Sequence, residues 1–292
     1  TNATINATNH IMITNNKLLN ISVLHLYNES LDFSLYNSKI TSNINITVRN
    51  LSVDSTSEIN ATGRGFTGGT GGVGTGPGAG PSGGAFGAGY GGRGTGSTNA
   101  GRYYGNPFEP KDKGSGGSAS VVDTGGSGGG FIFLNVSNKF LLDGVVYSDG
   151  AKPRSSGDAG GGSGGSILVY AYNLTGGGNF SAIGGASGGA GGSGSGGRIA
   201  LYYNYSSIDI FKSKVTRGTT TGSRAEHGTF IALDLRNNIA TISEAFEFNN
   251  THFVNNSIFK PFANSSFTFE NITLRGGDEI RIYTNASFNI TN

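Results

Sequence analysis

Residues 160–170 read GGGSGGSILVY, and residues 191–203 read GGSGSGGRIALYY. In both stretches a run of Gly and Ser ends in a short apolar segment that begins near an Ile. Four such endings occur, with central residues Ile132, Ile167, Ile199 and Ile231 in GFIFL, GSILV, GRIAL and TFIAL. The steps between these Ile residues are 35, 32 and 32, so one unit repeats about every 33 residues.

The opposite end of each Gly run also follows a pattern. Short alternating segments lead into the runs at INATG (59–63), VYSDG (146–150), FSAIG (180–184) and KVTRG (214–218). Their last Gly residues are 87, 34 and 34 positions apart, so the first unit has about 53 extra residues, in a loop at about 64–120. Short strands with a variable loop at a fixed place predict an all-β, parallel β-helix, or solenoid.

The composition divides the chain into three parts. We expect Asn-rich β-helix coils in 1–62, Gly-rich coils in 63–235 and Asn/Phe-rich coils in 236–292, all within one continuous solenoid whose chain never reverses direction. The helix is predicted to be right-handed because crossover connections between parallel strands nearly always are. Gly recurs at every third position from 185 to 197, a period that fits either polyproline-II segments or ordinary flexible Gly/Ser loops.

Composition also excludes several classes of protein. There are 53 Gly in 292 residues and no Cys, which rules out disulfide frameworks, Cys-ligated zinc and thiol catalysis. A net charge of +2 gives no reason to expect nucleic-acid binding, and no 18-residue apolar run predicts a membrane span. Because the sequence starts at Thr1 without an initiator Met, we expect a processed or excised piece. No cofactor is expected.

Acceptor triplets for N-glycosylation are unusually frequent. The 30 Asn and 59 Ser or Thr residues would give about six by chance, but seventeen are present. In thirteen of them the middle residue is apolar or Tyr, which predicts strands with that residue in the core and the Asn in solvent. The chain is therefore predicted to be extracellular and glycosylated at Asn2, Asn6, Asn20, Asn28, Asn45, Asn50, Asn60, Asn135, Asn173, Asn179, Asn204, Asn249, Asn255, Asn264, Asn271, Asn285 and Asn289.

The stretch 61–134 contains no such triplet, and its long loop contains basic and aromatic residues. Tyr and Arg are enriched at interface hot spots, so a glycan-free face here could contact a neighbouring subunit. The alternative is that the loop packs its aromatic side chains on its own solenoid. The candidate subunit contacts are Tyr90, Arg93, Arg102, Tyr103, Tyr104 and Phe108.

The two ends of the chain resemble each other. Residues 1–9 read TNATINATN and residues 284–292 read TNASFNITN, with six identical positions. One interpretation is that two Asn-rich coils merely look alike. The other is that units associate end to end, the last coil of one unit meeting the first coil of the next.

Enzymatic chemistry has weak support in the sequence. GxSxG around Ser127 and Ser163 arises easily in Gly/Ser runs and lacks the strand-to-helix turn that a nucleophile elbow needs. Asp143, Asp149 and Asp158 with Arg154 could serve a polysaccharide lyase or hydrolase or a weak calcium site. The simpler interpretation is that these carboxylates stabilise turns.

The segments GGGSGGSILVY, GNFSAIGG and GGSGSGGRIALYY resemble the repeats of large Gly-rich extracellular β-helix proteins of protists, plants and bacteria, over about residues 57–235. With its dense acceptor triplets, the chain also resembles protomers of glycan-coated fibrils such as mastigoneme-type filaments. This resemblance implies a structural, non-enzymatic role in a self-associating extracellular filament or surface coat. A carbohydrate-active β-helix enzyme and an adhesin remain the alternatives.

Overall fold

The computed structural model describes residues 9–15, 19–95, 101–120, 123–154, 157–237, 239–248, 271–273 and 279–282. These residues form thirteen strands in one curled, mostly parallel sheet, consistent with a solenoid-like fold. The strands are β1 (His10–Thr14), β2 (Leu19–Tyr36), β3 (Lys39–Val53), β4 (Glu58–Asn60), β5 (Phe131–Leu142), β6 (Val145–Tyr147), β7 (Ser166–Thr175), β8 (Asn179–Ser181), β9 (Arg198–Ser206), β10 (Thr229–Asp234), β11 (Ile239–Phe248), β12 (Asn271–Thr273) and β13 (Glu279–Ile282). One short 3₁₀ turn covers Ile210–Lys212, and no helix in the described part is long and apolar enough to cross a membrane.

From β3 to β9, long and short strands alternate along the chain and stack in two parallel rows. The long strands β3, β5, β7, β9 and β10 pair in that order, and the short strands β4, β6 and β8 pair beside them. β3 belongs to both rows, because Lys39–Thr41 pairs with β4 and Ile44–Val53 pairs with β5. The long strands β3, β5 and β7 are each followed by a short strand and then by a Gly-rich excursion that leads to the next long strand.

The Gly-rich excursions are insertions into a shorter basic coil. Leu19 pairs with Ile40, and Ile40 pairs with Ile59, which are steps of 21 and 19 residues. Where a Gly run is present, the step grows to 35 residues between Ile132 and Ile167 and to 32 between Ile167 and Ile199. The predicted period of about 33 residues is therefore confirmed for these coils.

The last step of the predicted repeat is wrong by one residue. Ile199 pairs with Phe230, and Ile231 pairs with Ala200. Since successive side chains on a strand point to opposite faces, the one-residue shift puts Phe230, rather than Ile231, in the row of inward residues.

The strand direction also departs from expectation after residue 234. β11 runs antiparallel to β10, and β12 and β13 are parallel to β11. The reversal has a local cause, because the Asp234 carboxylate accepts the backbone N–H groups of Arg236 (3.1 Å) and Asn237 (3.0 Å). Such an Asx turn folds the chain back on itself.

The core consists of in-register rows of aliphatic and aromatic side chains along the stacked strands. One row is Ile44, Ile132, Ile167, Ile199 and Phe230, all at most 2% exposed. The short strands contribute Ile59, Val146 and Phe180, each fully buried. Stacking the same position of every coil removes each apolar side chain from water, at about 25 cal/mol per Å² buried.

The Gly runs form a layer of closely packed backbone beside the sheet. Segments from different coils exchange backbone hydrogen bonds, for example from Gly126 N to Gly160 O (2.9 Å) and from Gly161 N to Gly192 O (3.0 Å). These bonds satisfy peptide groups that burial would otherwise leave without partners. The peptide groups of these runs thus find hydrogen-bond partners in neighbouring Gly segments.

Contacts within this layer recur every third residue. A Cβ placed on Gly191, Gly194 or Gly197 would lie 2.0 to 2.3 Å from the carbonyl oxygens of Ala159, Gly162 and Gly165, respectively. Likewise, Gly161 and Gly164 would meet the carbonyls of Gly185 and Ala182. No side chain fits at these distances, so glycine is required by the close approach of the segments.

Gly162→Ala should therefore destabilise the fold by about 1–3 kcal/mol, the usual cost of overpacking. Its Cβ would lie 2.1 Å from the carbonyl oxygen of Ser127, which is backbone and cannot move aside easily. Gly72→Ala is the matched control, because its Cβ would have no neighbour within 4 Å. Denaturant unfolding of both variants measures the difference; equal stabilities would contradict the close-packed layer.

Candidate functional site

The acceptor asparagines whose side chains are described lie on the outer side of the strands. Eight have described side chains, and all eight are partly exposed: Asn28, Asn45, Asn50, Asn60, Asn135, Asn173, Asn179 and Asn204. In six of these triplets the middle residue is at most 1% exposed: Ile46, Leu51, Ala61, Val136, Leu174 and Phe180. The predicted strand geometry is confirmed there; the middle residues Glu29 and Tyr205 are instead exposed.

The remaining acceptor positions cannot be compared in this way. The side chains of Asn20 and Asn271 and the whole of Asn2, Asn6, Asn249, Asn255, Asn264, Asn285 and Asn289 lie outside the described residues. The same holds for the two similar termini, apart from Asn9.

The Asn50 side-chain amide makes three hydrogen bonds to residues of other strands. Its Nδ2 donates to Asp32 Oδ1 at 2.8 Å, and its Oδ1 accepts from Asn138 Nδ2 at 2.9 Å and from the backbone N–H of Lys139 at 3.1 Å. Arg49 also binds the Asp32 carboxylate, through Nε and Nη2, both at 2.9 Å, and this holds the pKa of Asp32 below its usual value. Attaching a glycan to Asn50 would disturb this network.

A segment of the long loop covers the outer face of β7, β9 and β10; residues 86–95 and 101–113 are called the strap here. Tyr90 is fully buried, with its hydroxyl on Ser166 Oγ, and Tyr202 donates its hydroxyl to the Phe108 carbonyl at 2.7 Å. Ser166 in turn donates to the Asp112 carbonyl. Burial raises the pKa of Tyr90 and of Tyr104 well above the usual tyrosine value.

The strap decides between the two interpretations of the aromatic residues. Tyr90, Tyr104 and Phe108 are at most 6% exposed and contact their own chain, as in the self-packing alternative. Arg93 and Arg102 are exposed and Tyr103 is partly exposed; the Arg93 guanidinium lies 5.6 Å from the Tyr103 ring centroid. Only the last three have side-chain surface to offer a neighbouring subunit.

Arg198 joins the strap to the sheet, and the sequence analysis did not identify it. This fully buried side chain donates to the carbonyls of Tyr104 (3.1 Å) and Tyr90 (3.4 Å) and to Thr229 Oγ1 (3.0 Å). Its guanidinium also lies 5.5 Å from the Tyr90 ring centroid. The only sequence signal is that Arg198 begins the apolar run RIALYY. Such a run indicates a strand that is buried on both faces, and a charge buried there needs hydrogen-bond partners.

The carboxylates considered for catalysis bind the backbone of the next coil. Asp143 accepts from Gly177 N (2.9 Å), Asp149 from Ile183 N (2.7 Å) and Asp158 from Ala190 N (2.7 Å). Each bond spans 32 to 34 residues, which is one coil. The expectation that these carboxylates stabilise the backbone is therefore correct. The bonds join neighbouring coils, however, and do not close a local turn.

The described residues give no support to the nucleophilic serine at Ser163, to the calcium site or to a site that joins Arg154 with the three carboxylates. Ser163 is fully buried, and its Oγ accepts from Ser115 N at 2.8 Å. No group of three or more His, Asp or Glu side chains that could hold a metal ion is found among the described residues. Arg154 lines a cleft that none of the three carboxylates lines.

This cleft is open and polar, with a volume of about 820 Å³, and it lies where β3 and β4 meet the Gly layer. Its cationic side chains are Arg64, Lys152 and Arg154. Its hydroxyl side chains are Thr41, Thr62, Thr67, Thr70, Thr124 and Ser127. The buried Oγ1 of Thr41 has no hydrogen-bond partner.

Replacing Arg198 with Met should destabilise the protein by about 3 kcal/mol, because carbonyl groups in the buried strap lose their donors. We also expect the strap to become sensitive to protease. Exposed Arg93→Met is the matched control. Unfolding and limited proteolysis with fragment mapping measure both effects; a stable, protease-resistant Arg198→Met protein would show that the strap is held by other contacts.

The buried carboxyl group of Asp149 predicts that the stability of the protein depends on pH. Burial raises its pKa despite the hydrogen bonds from Ser181 and Ile183, so folding favours the protonated form. Its contribution to stability is full below the unfolded pKa and is lost as the pH rises through the folded pKa. Asp149→Asn should therefore gain stability relative to wild type between about pH 3 and about pH 7.

Denaturant unfolding at both pH values measures this change. Asp149→Ala serves as the comparison, since it removes the acceptor for Ser181 and Ile183 and should be less stable than Asp149→Asn throughout. A stability difference between wild type and Asp149→Asn that does not vary with pH would contradict the assignment.

Comparison with known proteins adds no further information on this site: no protein-family model, curated protein or solved structure matches the chain significantly.

Proposed function

We propose that this chain is a secreted, N-glycosylated structural protein that self-associates into an extracellular filament or surface coat. In this proposal the solenoid is right-handed, in line with the general preference of parallel crossovers. The Gly segments are polyproline-II-like, which is supported by contacts that recur every third residue. No enzymatic activity and no cofactor are proposed.

The observation that carries the proposal is the placement of the acceptor asparagines. The strand pattern puts the middle residue of six triplets in the core while the Asn side chains stay partly exposed. Attaching a glycan at these positions leaves the core intact. N-glycans are typical of secreted proteins, so their presence would indicate an extracellular location. On the outside of the solenoid they would also oppose lateral aggregation.

Two features suit a load-bearing role. The parallel rows give a continuous hydrogen-bond ladder from β2 to β10, and the Gly layer braces it from the side through bonds between coils.

Assembly is proposed to use the solenoid ends and part of the strap. An uncapped terminal coil has unpaired N–H and C=O groups that favour pairing with another chain, which is the basis for end-to-end association. Arg93, Arg102 and Tyr103 are the proposed side contacts, since they are the members of the predicted set that retain exposed surface.

The carbohydrate-active enzyme is the weaker candidate. Asp143, Asp149 and Asp158 each accept a backbone N–H from the next coil. Glycosidases need a pair of carboxylates that face a substrate across a cleft. No observation on the described residues favours an adhesin over a filament.

The test is to produce the chain in secreting eukaryotic cells and to measure its mass before and after enzymatic removal of N-glycans. We expect a loss of several glycans, with peptide mapping to Asn45, Asn60, Asn135, Asn173, Asn179 and Asn204. Asn50 should be occupied less because its amide is hydrogen-bonded to Asp32, Asn138 and Lys139 on the two neighbouring strands. Electron microscopy of the secreted material should then show filaments.

At about 4.8 Å per coil, seven to ten coils predict an axial rise of roughly 35 to 50 Å per chain. Material that carries glycans but stays as single particles at high concentration would overturn the proposed filament, while the proposed glycosylation would stand. Secreted protein without any glycan would overturn both parts of the proposal.

A further inference from the structure

We propose that the cleft lined by Arg64, Lys152 and Arg154 binds an acidic saccharide, a sugar segment that bears carboxylate or sulfate groups. This site goes beyond the structural role, because a single chain could bind such a ligand whether or not it forms filaments. The inference rests on the charge, the hydroxyl content and the size of the cleft.

The charge of the cleft is one-sided. Three cationic side chains line it, and among the described residues no Asp or Glu side chain does. Neither Lys152 nor Arg154 takes part in the salt bridges found in the described part, which are Lys39–Glu58, Arg49–Asp32 and Lys111–Glu109. Arg and Lys bind carboxylate and sulfate groups through charge-assisted hydrogen bonds, which are stronger than neutral ones.

The local backbone holds two of these cations in place. Lys152 and Arg154 flank Pro153, which is buried while its two neighbours are exposed. Proline fixes its own φ angle, so the buried ring anchors the turn. Both cationic side chains can then reach the cleft at little cost in backbone freedom.

The hydroxyl groups favour a sugar over a simple anion. Six Ser and Thr side chains line the cleft, and a hydroxyl both donates and accepts, as the hydroxyls of a sugar do. Thr41 is also one of the lining residues, although its Oγ1 is buried and has no hydrogen-bond partner.

Size and composition narrow the ligand further. A volume of about 820 Å³ lies within the usual range for small-ligand sites of about 300–1,000 Å³ and exceeds what a lone sulfate needs. No aromatic side chain lines the cleft within the described part. A nucleobase or another flat ring would therefore find no stacking platform there.

Asn60, one of the predicted glycosylation sites, lies next to the cleft. It pairs with Thr41 in the sheet, and its Oδ1 accepts the N–H of Thr62 at 2.9 Å. A glycan on Asn60 would start beside the cleft and could cover it. Wild type and Asn60→Gln are therefore compared throughout.

The experiment is calorimetric titration of the purified full chain with four probes. These are a galacturonate tetrasaccharide, a sulfated tetrasaccharide, a neutral glucose tetrasaccharide and sodium sulfate. We expect at least one acidic tetrasaccharide to bind wild type or Asn60→Gln, more weakly as salt increases, and the neutral one to bind much more weakly or not at all. Which acidic probe binds identifies carboxylate or sulfate as the recognised group.

The double variant Lys152→Gln/Arg154→Gln should weaken binding by about tenfold or more, the usual effect of losing a charged hydrogen bond. Lys139→Gln/Lys212→Gln is the matched control; it removes the same charge from exposed positions outside the cleft and should bind as before. All these side chains are exposed, so melting temperatures should stay unchanged.

Four results would overturn the proposal. They are equal binding of neutral and acidic tetrasaccharides, sulfate ions that compete at the same concentration as the saccharide, unchanged binding by the Lys152/Arg154 double variant, and no binding to either wild type or Asn60→Gln. Binding that appears only in Asn60→Gln supports the site and shows that the Asn60 glycan covers it.

Discussion

Close contact between glycine backbones is the constraint on which the rest of this structure depends. Segments of the Gly layer approach until a single added Cβ would lie about 2 Å from a neighbouring carbonyl, as at Gly162 and Gly194. At that distance the peptide groups of one segment complete the hydrogen bonds of the next. The layer can therefore exclude water without apolar side chains. This explains how the Gly-rich part of a chain with 53 Gly packs against the sheet.

The Gly layer and the sheet stabilise each other through the register of the coils. The long strands β5, β7, β9 and β10 each start where a Gly segment ends, so a shift in one would displace the other. Carboxylates reinforce this register: Asp143, Asp149 and Asp158 each bind a backbone N–H about one coil away. On the outer face, the strap and Arg198 cover strands that would otherwise present apolar residues such as Leu168 and Ile231 to water.

The proposed functions use the surfaces that this packing leaves open. Outward positions of the strands hold acceptor asparagines, whereas the strap lies within the stretch 61–134, in which no acceptor triplet begins. The cleft lies at the boundary, where β3 and β4 meet the Gly layer. Covalent glycans and an acidic saccharide would thus occupy adjacent regions of one surface, with Asn60 between them.

The sequence by itself determined the features that depend on local alternation and spacing. It predicted parallel β structure, the period of about 33 residues and the inward direction of residues such as Ile46, Leu51 and Phe180, because a strand alternates its faces every residue. The tertiary structure alone decided which remote segment covers an outer face. Burial of Tyr90, the role of Arg198, the one-residue shift that selects Phe230 and the grouping of Arg64 with Lys152 and Arg154 all depend on contacts across coils. The unbroken apolar runs ILVYAY and IALYY indicate burial on both faces, but no local pattern states which part of the chain supplies the cover.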